Sequence, residues 1–228
     1  IMPGLPRFQL PGVPQHIILR GNNREACFFE QADYTFYLES LREAADRYGC
    51  RVHAYVLMTN HIHLLMTPCF EDAVSSMMQS AGCRYVKYVN RHHDRTGGLR
   101  EGRYKASLVE SEDYLLACYR FIELNPVRAM MVSHPAEYPW SSYHVNALGE
   151  SSGLVSAHED YLRLGINREQ RMMAYRELLE QPLEQVVTDE IRAAVNQQLV
   201  TGRNAYKQDI AIASGRRTLP AKPGRPKK

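Results

Sequence analysis

The chain has 228 residues, of which 44% are hydrophobic and 23% are charged, and its formal net charge at pH 7 is +3. This length allows one sizeable core, or one domain with a small appendage, and the composition is that of an ordinary globular protein. No apolar stretch approaches the roughly 20 residues that a membrane-spanning helix needs, and the first residues do not resemble a signal peptide. The composition therefore argues against an integral membrane protein.

The five cysteines argue against a disulfide framework. Their number is odd, and no two of them stand in a Cys-x-x-Cys spacing, which also argues against a zinc knuckle. This pattern favours a reducing compartment, and we expect the protein in the cytoplasm.

Basic charge is concentrated near the C-terminal end of the sequence. Residues 201–228 contain eight Lys or Arg residues and one acid, a net charge of +7, whereas residues 1–200 carry 20 basic and 24 acidic residues, a net charge of −4. A basic arm on a nearly neutral body suggests a polyanionic partner such as nucleic acid. A solvated tail without a partner fits the charge equally well.

Hydrophobic periodicity predicts alternating strands and helices. In chain order, the prediction is a strand at 15–20, a helix at 33–48, strands at 51–58 and 61–66 joined by a two-residue turn, a helix at 71–92, a strand at 102–109 and a helix from 111 to about 125. This order, β-α-β-β-α-β-α, is that of the ferredoxin-like split βαβ motif. We therefore expect an α+β fold in which helices cover one face of an antiparallel sheet.

The sequence divides into three expected segments. Residues 2–145 should form the main domain, and residues 146–212 should form a small helical region with few strand signals. Residues 213–228 hold two Gly and three Pro among their basic residues, and we expect a flexible, extended tail.

A His-x-His pair lies in the second hairpin strand. Because side chains alternate along a strand, His61 and His63 should share one face, while Ile62, Leu64 and Met66 share the other. Two imidazoles on one face can bind one divalent metal when a third ligand comes from elsewhere. Taken alone, the pair is more typical of structural histidines.

The helix ending near Asn125 carries a second candidate feature. Phe121 and Asn125 are four residues apart and should form a stripe beside the core face of this helix. That core face is expected to consist of Leu115, Cys118, Tyr119 and Ile122. Alternatively, Phe121 is peripheral core and Asn125 is simply a helix end.

Four segments together resemble the single-tyrosine HUH transposases, and most closely the REP-associated tyrosine transposases of bacteria. They are TNHIHLL at 59–65, GRYKASLVES at 102–111, YRFIELNPVRA at 119–129 and WSSY at 140–143. The resemblance covers roughly residues 5–145. A His-x-His strand followed about sixty residues later by a helix of this kind is more specific than either segment alone.

The resemblance implies a metal site and a nucleophile position. His61, His63 and Asn125 would hold Mg²⁺ or Mn²⁺, and the position of the family's nucleophilic tyrosine falls on Phe121. Phenylalanine has no hydroxyl, so this chain should bind its DNA without cleaving it, whether the residue is natural or engineered. Other tyrosines are not well placed, because Tyr119 and Tyr104 belong on core faces and Tyr114 lies too far along its helix.

The implied reaction is the cleavage and rejoining of single-stranded DNA through a 5′-phosphotyrosine. The expected partner is a repetitive extragenic palindrome (REP), a hairpin with a single-stranded 5′ foot, bound by a monomer in the bacterial cytoplasm near the nucleoid. Candidate phosphate contacts are Arg84, Lys87, Arg91, Arg103, Lys105, Arg216, Arg217, Lys222, Arg225, Lys227 and Lys228. The alternatives are a non-catalytic regulator that binds hairpin DNA or RNA, and a metal-dependent nuclease that uses water.

Overall fold

The computed structural model describes residue 8 and residues 10–111 and 114–219. Within them, one five-stranded sheet has the strand order β2-β3-β1-β4-β5. The strands are β1 (Gln15–Arg20), β2 (Cys50–Met58), β3 (His61–Pro68), β4 (Lys105–Val109) and β5 (Val200–Thr201). The pairs among β1 to β4 are antiparallel, and β5 runs parallel to β4. The expected α+β fold with a mostly antiparallel sheet is confirmed.

Helices occupy most of the remaining described chain. They are α1 (Gln31–Tyr48), α2 (Ala73–His92), α3 (Leu115–Glu123), α4 (Asn125–Arg128), α5 (Tyr143–Asn146), α6 (Glu159–Leu162), α7 (Arg168–Glu180), α8 (Gln185–Gln197) and α9 (Asn204–Ser214). None of the helices in the described part of the chain is long and apolar enough to cross a membrane. The five cysteines are free thiols.

Helices α1 and α2 cover one face of the sheet. Ile62, Leu64 and Met66 of β3 pack there, each at most 3% exposed, as the alternation of the strand predicts. Tyr37 of α1 and Tyr85 of α2 fill the space above them. This face is a closed hydrophobic core.

The second face of the sheet is also covered, so the prediction of a single covered face was wrong. Leu65 of β3 and Val56 of β2 belong to a second buried cluster with Ile122 of α3, Tyr175 of α7 and Ile191 of α8. Strands β2 and β3 are buried along almost their whole length, which is typical of strands with helices on both faces. Periodicity predicted the C-terminal helices but could not show that they return to the sheet.

The C-terminal region also extends the sheet. Val200 and Thr201 pair with Leu108 and Val109 at the edge of β4, although this region was predicted to be helical with few strand signals. An ion pair of 2.7 Å between Arg203 and Glu110 lies beside this junction. The predicted tail begins at residue 213, but α9 continues to Ser214. Residues 220–228 of that predicted tail lie outside the described residues.

Hydrogen bonds to Glu123 connect the end of α3 to the C-terminal region. Its buried carboxylate accepts hydrogen bonds from Ser142 Oγ (2.5 Å), Asn146 Nδ2 (2.7 Å) and the Tyr175 hydroxyl (2.7 Å). Burial raises the pKa of Glu123 to about 7. These bonds fix the helix end from which Phe121 and Asn125 project.

Candidate functional site

The two histidines of β3 face the side of the sheet that α3 covers. In the register with β1, His63 lies opposite Ile18 and His61 lies opposite Arg20. The two imidazole rings are 5.1 Å apart between centroids and nearly perpendicular. Alternation along β3 thus brings both rings to one surface, away from the core under α1 and α2.

This surface forms the floor of a cavity of about 280 Å³. The cavity is lined by His61, His63, Phe121 and Asn125 together with Ile18, Arg20, Arg128, Ala129, Arg192, Val195 and Asn196. The structure therefore brings together the four residues to which the sequence assigned the metal site and the nucleophile position. Neither a carboxylate nor a tyrosine is among the described residues that line the cavity.

A break between α3 and α4 presents Asn125 to the cavity. Leu124 leaves helical geometry (φ −85°, ψ 3°), and Asn125 starts a new turn whose second residue is Pro126. Proline is tolerated at the start of a helix because its missing N–H has no partner there. The stacking of Phe121 and Asn125 on one continuous helix is lost, yet both still line the same cavity.

Phe121 is enclosed by the other residues of the site. Its ring is 3% exposed and makes edge contacts with His63 (5.8 Å between centroids) and His16 (5.7 Å). The Arg128 guanidinium lies 4.3 Å from the centroid of the Phe121 ring and donates a hydrogen bond to the Phe121 carbonyl. The predicted nucleophile position and the histidines therefore meet within one chain.

Hydrogen bonds fix the orientation of both histidines. His61 Nδ1 is 2.7 Å from the Asn60 side-chain oxygen, which can only accept, so Nδ1 carries the proton and Nε2 keeps its lone pair. His63 Nδ1 is 2.8 Å from His16 Nε2. When His63 donates in this bond, its Nε2 is likewise available as a ligand.

The environment keeps the three imidazoles neutral. Burial, aided by Arg20, lowers the pKa of His61 to about 4. Burial and Arg128 lower the pKa of His16 to about 3, and burial holds the pKa of His63 well below its ordinary value. Because imidazole binds metals only when neutral, the residues present fit a divalent ion.

Sequence reasoning missed His16. This residue is fully buried on β1, and its Nδ1 has no hydrogen-bond partner among the described residues. The available signal was its place in a predicted strand, on the same face as Ile18 and Arg20. The pairing with β3, which the sequence does not specify, turns this face toward His63.

Three arginines of the cavity were also missed. Arg20, Arg128 and Arg192 come from β1, α4 and α8, segments far apart in the sequence. Arg128 Nη1 is buried and unpaired within the described residues. Burial, together with Arg192, lowers the pKa of Arg128 to about 10, so it remains charged at neutral pH. The cavity is therefore positively charged and suited to an anion.

The predicted DNA contacts are divided between the two sides of the sheet. Lys105 is exposed and lies opposite Ile18, which itself lies opposite His63, so Lys105 shares the face of the cavity. Arg84, Lys87 and Arg91 are exposed on α2, on the other side of the sheet. Arg84 also forms an ion pair with Glu43. The structure does not bring these helix residues to the cavity.

The remaining predicted contacts lie elsewhere. Arg103 is exposed before β4 and lines a separate cavity beside Phe70. Arg216 packs 3.9 Å above the Phe8 ring, and Arg217 is exposed. Four further basic residues lie outside the described residues: Lys222, Arg225, Lys227 and Lys228.

Comparison with solved structures identifies similar folds. A REP-associated tyrosine transposase bound to a REP hairpin aligns with a TM-score of 0.56 at 16% identity, covering 69% of this chain and 93% of that one. A protein of Deinococcus radiodurans R1 assigned as a transposase aligns with a TM-score of 0.36 at 19% identity, covering 51% and 91%. A bacterial tRNA(His) guanylyltransferase-like protein in complex with GTP aligns at 0.40 and 14% identity, covering 59% and 71%.

The sequence comparisons concern the same region as the site. No curated protein matches the chain. The family model described as "Transposase IS200 like" matches residues 11–125, just over half of the chain, and spans His16, both histidines of β3, Phe121 and Asn125. The chain therefore belongs to the IS200-like transposase family.

Proposed function

We propose that this protein binds single-stranded hairpin DNA in a site arranged for cleavage and rejoining through a 5′-phosphotyrosine, with Phe121 at the nucleophile position. One observation carries the proposal: His61, His63, Phe121 and Asn125 line one cavity that three arginines make positive. The related fold bound to a REP hairpin supports the choice of ligand. We propose a REP-type hairpin with a 5′ single-stranded foot as the substrate.

His61, His63 and Asn125 would hold Mg²⁺ or Mn²⁺, as two neutral imidazoles and one amide oxygen. When bound, such an ion supplies Lewis-acid polarisation of the scissile phosphate and helps to orient it. The hydrogen bonds that His61 donates to Asn60 and His63 donates to His16 would keep the two ligand rings in place.

The arginines of the cavity would bind the phosphate. Arg128 has a free Nη1, and its other terminal nitrogen is anchored on the Phe121 carbonyl, so the guanidinium is positioned directly above the nucleophile position. Arg20 and Arg192 add charge from β1 and α8. A phosphate bound there would lie against the ring of residue 121.

The reaction itself needs a hydroxyl at position 121. A tyrosine oxygen would attack phosphorus, the bond from phosphorus to the 3′ oxygen would break, and that oxygen would leave as a 3′-hydroxyl. Attack by a second 3′-hydroxyl would reverse the step and rejoin the strands. Phe121 can do neither, so we expect this chain to bind DNA without cutting it.

The site is complete within one chain, which supports a monomer. The ring of residue 121 contacts His63 of the same chain. No second copy is needed to bring the nucleophile position to the histidines.

Phe121 also supports a second candidate function, a regulator that binds hairpin DNA or RNA without chemistry. Both candidate functions use the cavity and its arginines, but only the first requires a bound metal. A nuclease that activates water would not need residue 121 and should cut with phenylalanine in place.

Binding is tested by fluorescence anisotropy with a labelled hairpin carrying a 5′ foot, the same hairpin without the foot, and its RNA equivalent. We expect preference for the DNA with the foot, and a loss of at least tenfold in affinity in Arg128→Ala. Arg84→Ala is the matched control, because it removes an arginine on the opposite side of the sheet. Equal losses in both variants, or no preference for the foot, would contradict the proposal.

A further inference from the structure

A second group of potential metal ligands lies where α1 begins and α2 ends. Glu30 immediately precedes α1, His92 is the last residue of α2, and His93 follows it. One ligand atom from each of these three residues lies within 4.8 Å of the other two. We call these three residues the helix-end cluster.

A buried carboxylate orients one histidine of the helix-end cluster. Asp33 is fully buried, and one of its oxygens accepts hydrogen bonds from the backbone N–H groups of Phe29 (2.7 Å) and Glu30 (3.1 Å). The other oxygen is 3.0 Å from His93 Nε2. Because a carboxylate accepts, Nε2 carries the proton, and Nδ1 of His93 keeps its lone pair. This is the arrangement by which carboxylates typically position metal-binding histidines.

The second histidine is held as well. The His92 ring stacks on Tyr88 with 5.3 Å between centroids and an angle of 12°. Its Nε2 lies 2.7 Å from Glu30 Oε1. The two side chains that would share an ion are thus already in contact, at a surface that is about half exposed and open to entry.

We propose that the helix-end cluster binds a divalent transition metal of the zinc class, with His92, His93 and Glu30 as ligands and Asp33 as the positioning residue. Two imidazoles and one carboxylate form a donor set that suits zinc and leaves a coordination position open. Magnesium and calcium prefer sites built from oxygen alone. The ion would clamp the start of α1 to the end of α2.

This site is separate from the cavity of His61 and His63. Helices α1 and α2 pack on one face of the sheet, and the cavity lies on the other. The two sites share no residue, so the proposal does not depend on the proposed DNA chemistry.

The test uses the full chain carrying His61→Ala and His63→Ala, which removes the other histidine pair. Zn²⁺ is titrated against a chromophoric chelator, and Co²⁺ is added as a spectroscopic probe. We expect one equivalent of tight binding, a visible Co²⁺ absorption band and a rise in melting temperature with Zn²⁺. In this background, His92→Ala and Glu30→Gln should each weaken Zn²⁺ binding at least tenfold and abolish the rise.

Two further variants make the result unambiguous. His134→Ala removes an exposed histidine elsewhere and should leave Zn²⁺ affinity unchanged. Asp33→Asn should weaken Zn²⁺ binding roughly 10–100-fold, because the hydrogen bond that positions His93 is lost. If that variant does not fold, the Zn²⁺ affinity of His92→Ala tests the proposal by itself, since the His92 side chain is half exposed. Zn²⁺ affinity that is equal in His92→Ala and His134→Ala, or absent from the starting protein, would overturn the proposal.

Discussion

Replacing His16 by leucine should separate metal affinity from fold stability. In the tautomer that metal binding requires, His63 Nδ1 donates a hydrogen bond to His16 Nε2. His16 Nδ1 is buried and has no partner within the described chain. The substitution removes that unpaired nitrogen but leaves His63 Nδ1 unpaired in its place. The number of buried unsatisfied nitrogens is thus unchanged, and we expect the free energy of unfolding to change by less than about 1 kcal/mol.

Metal affinity should respond much more strongly to the same change. Loss of a hydrogen bond that orients a ligand histidine typically weakens binding 10–100-fold, or about 1.4–2.8 kcal/mol. Mn²⁺ binding by calorimetry and urea unfolding, both on the full chain, measure the two quantities. If His16→Leu keeps native Mn²⁺ affinity, or loses affinity only in proportion to lost stability, the assignment of His16 as the residue that positions His63 is refuted.

Two further predictions concern the fold. Glu123→Ala removes a carboxylate that accepts from three buried donors and should lower the free energy of unfolding by about 3–5 kcal/mol in urea. Exposed Glu169→Ala should change it by less than about 0.5 kcal/mol, and similar effects of the two substitutions would refute the anchoring role. Burial lowers the pKa of His53 from 6.5 to about 4. The contribution of His53 to the free energy of unfolding is therefore complete above pH 6.5 and falls by about 3 kcal/mol as the pH drops toward 4. His53→Gln should lose correspondingly less stability than the native chain between pH 7 and pH 4.5, and equal losses would contradict this.

The elements near the site were predictable because each depends on local pattern. Strand β1 has the predicted bounds, and the two-residue turn at 59–60 lies between β2 and β3 as expected. Alternation along β3 was enough to place His61 and His63 on one face. The helix carrying Phe121 ends two residues earlier than expected, because the chain leaves helical geometry at Leu124.

The rest of the site depends on contacts between distant segments. Arg192 reaches the cavity because α8 packs against α3 and the sheet, and no periodicity in 185–197 identifies that partner. His16 comes to lie against His63 only through the pairing of β1 with β3. Strand β5 has two residues, too few to give a pattern.

Position 121 is the proposed nucleophile position of a metal-dependent DNA site. Phe121→Tyr should barely disturb the fold, because the ring is retained and already lines the cavity beside His63. The added hydroxyl would lie in the cavity where the arginines are proposed to hold the phosphate. The matched control is Phe121→Tyr combined with His61→Ala, which keeps the hydroxyl and removes one proposed metal ligand.

The measurement is denaturing gel electrophoresis of a labelled hairpin with a 5′ foot, incubated with protein and Mg²⁺ or Mn²⁺. We expect no cleavage by the chain with Phe121. In Phe121→Tyr we expect strand cleavage with a covalent protein–DNA adduct, and both should be lost in the double variant. Phe121→Tyr that binds the hairpin and Mn²⁺ yet forms no adduct, or cleavage by the chain with Phe121 in place, would contradict the proposed nucleophile position.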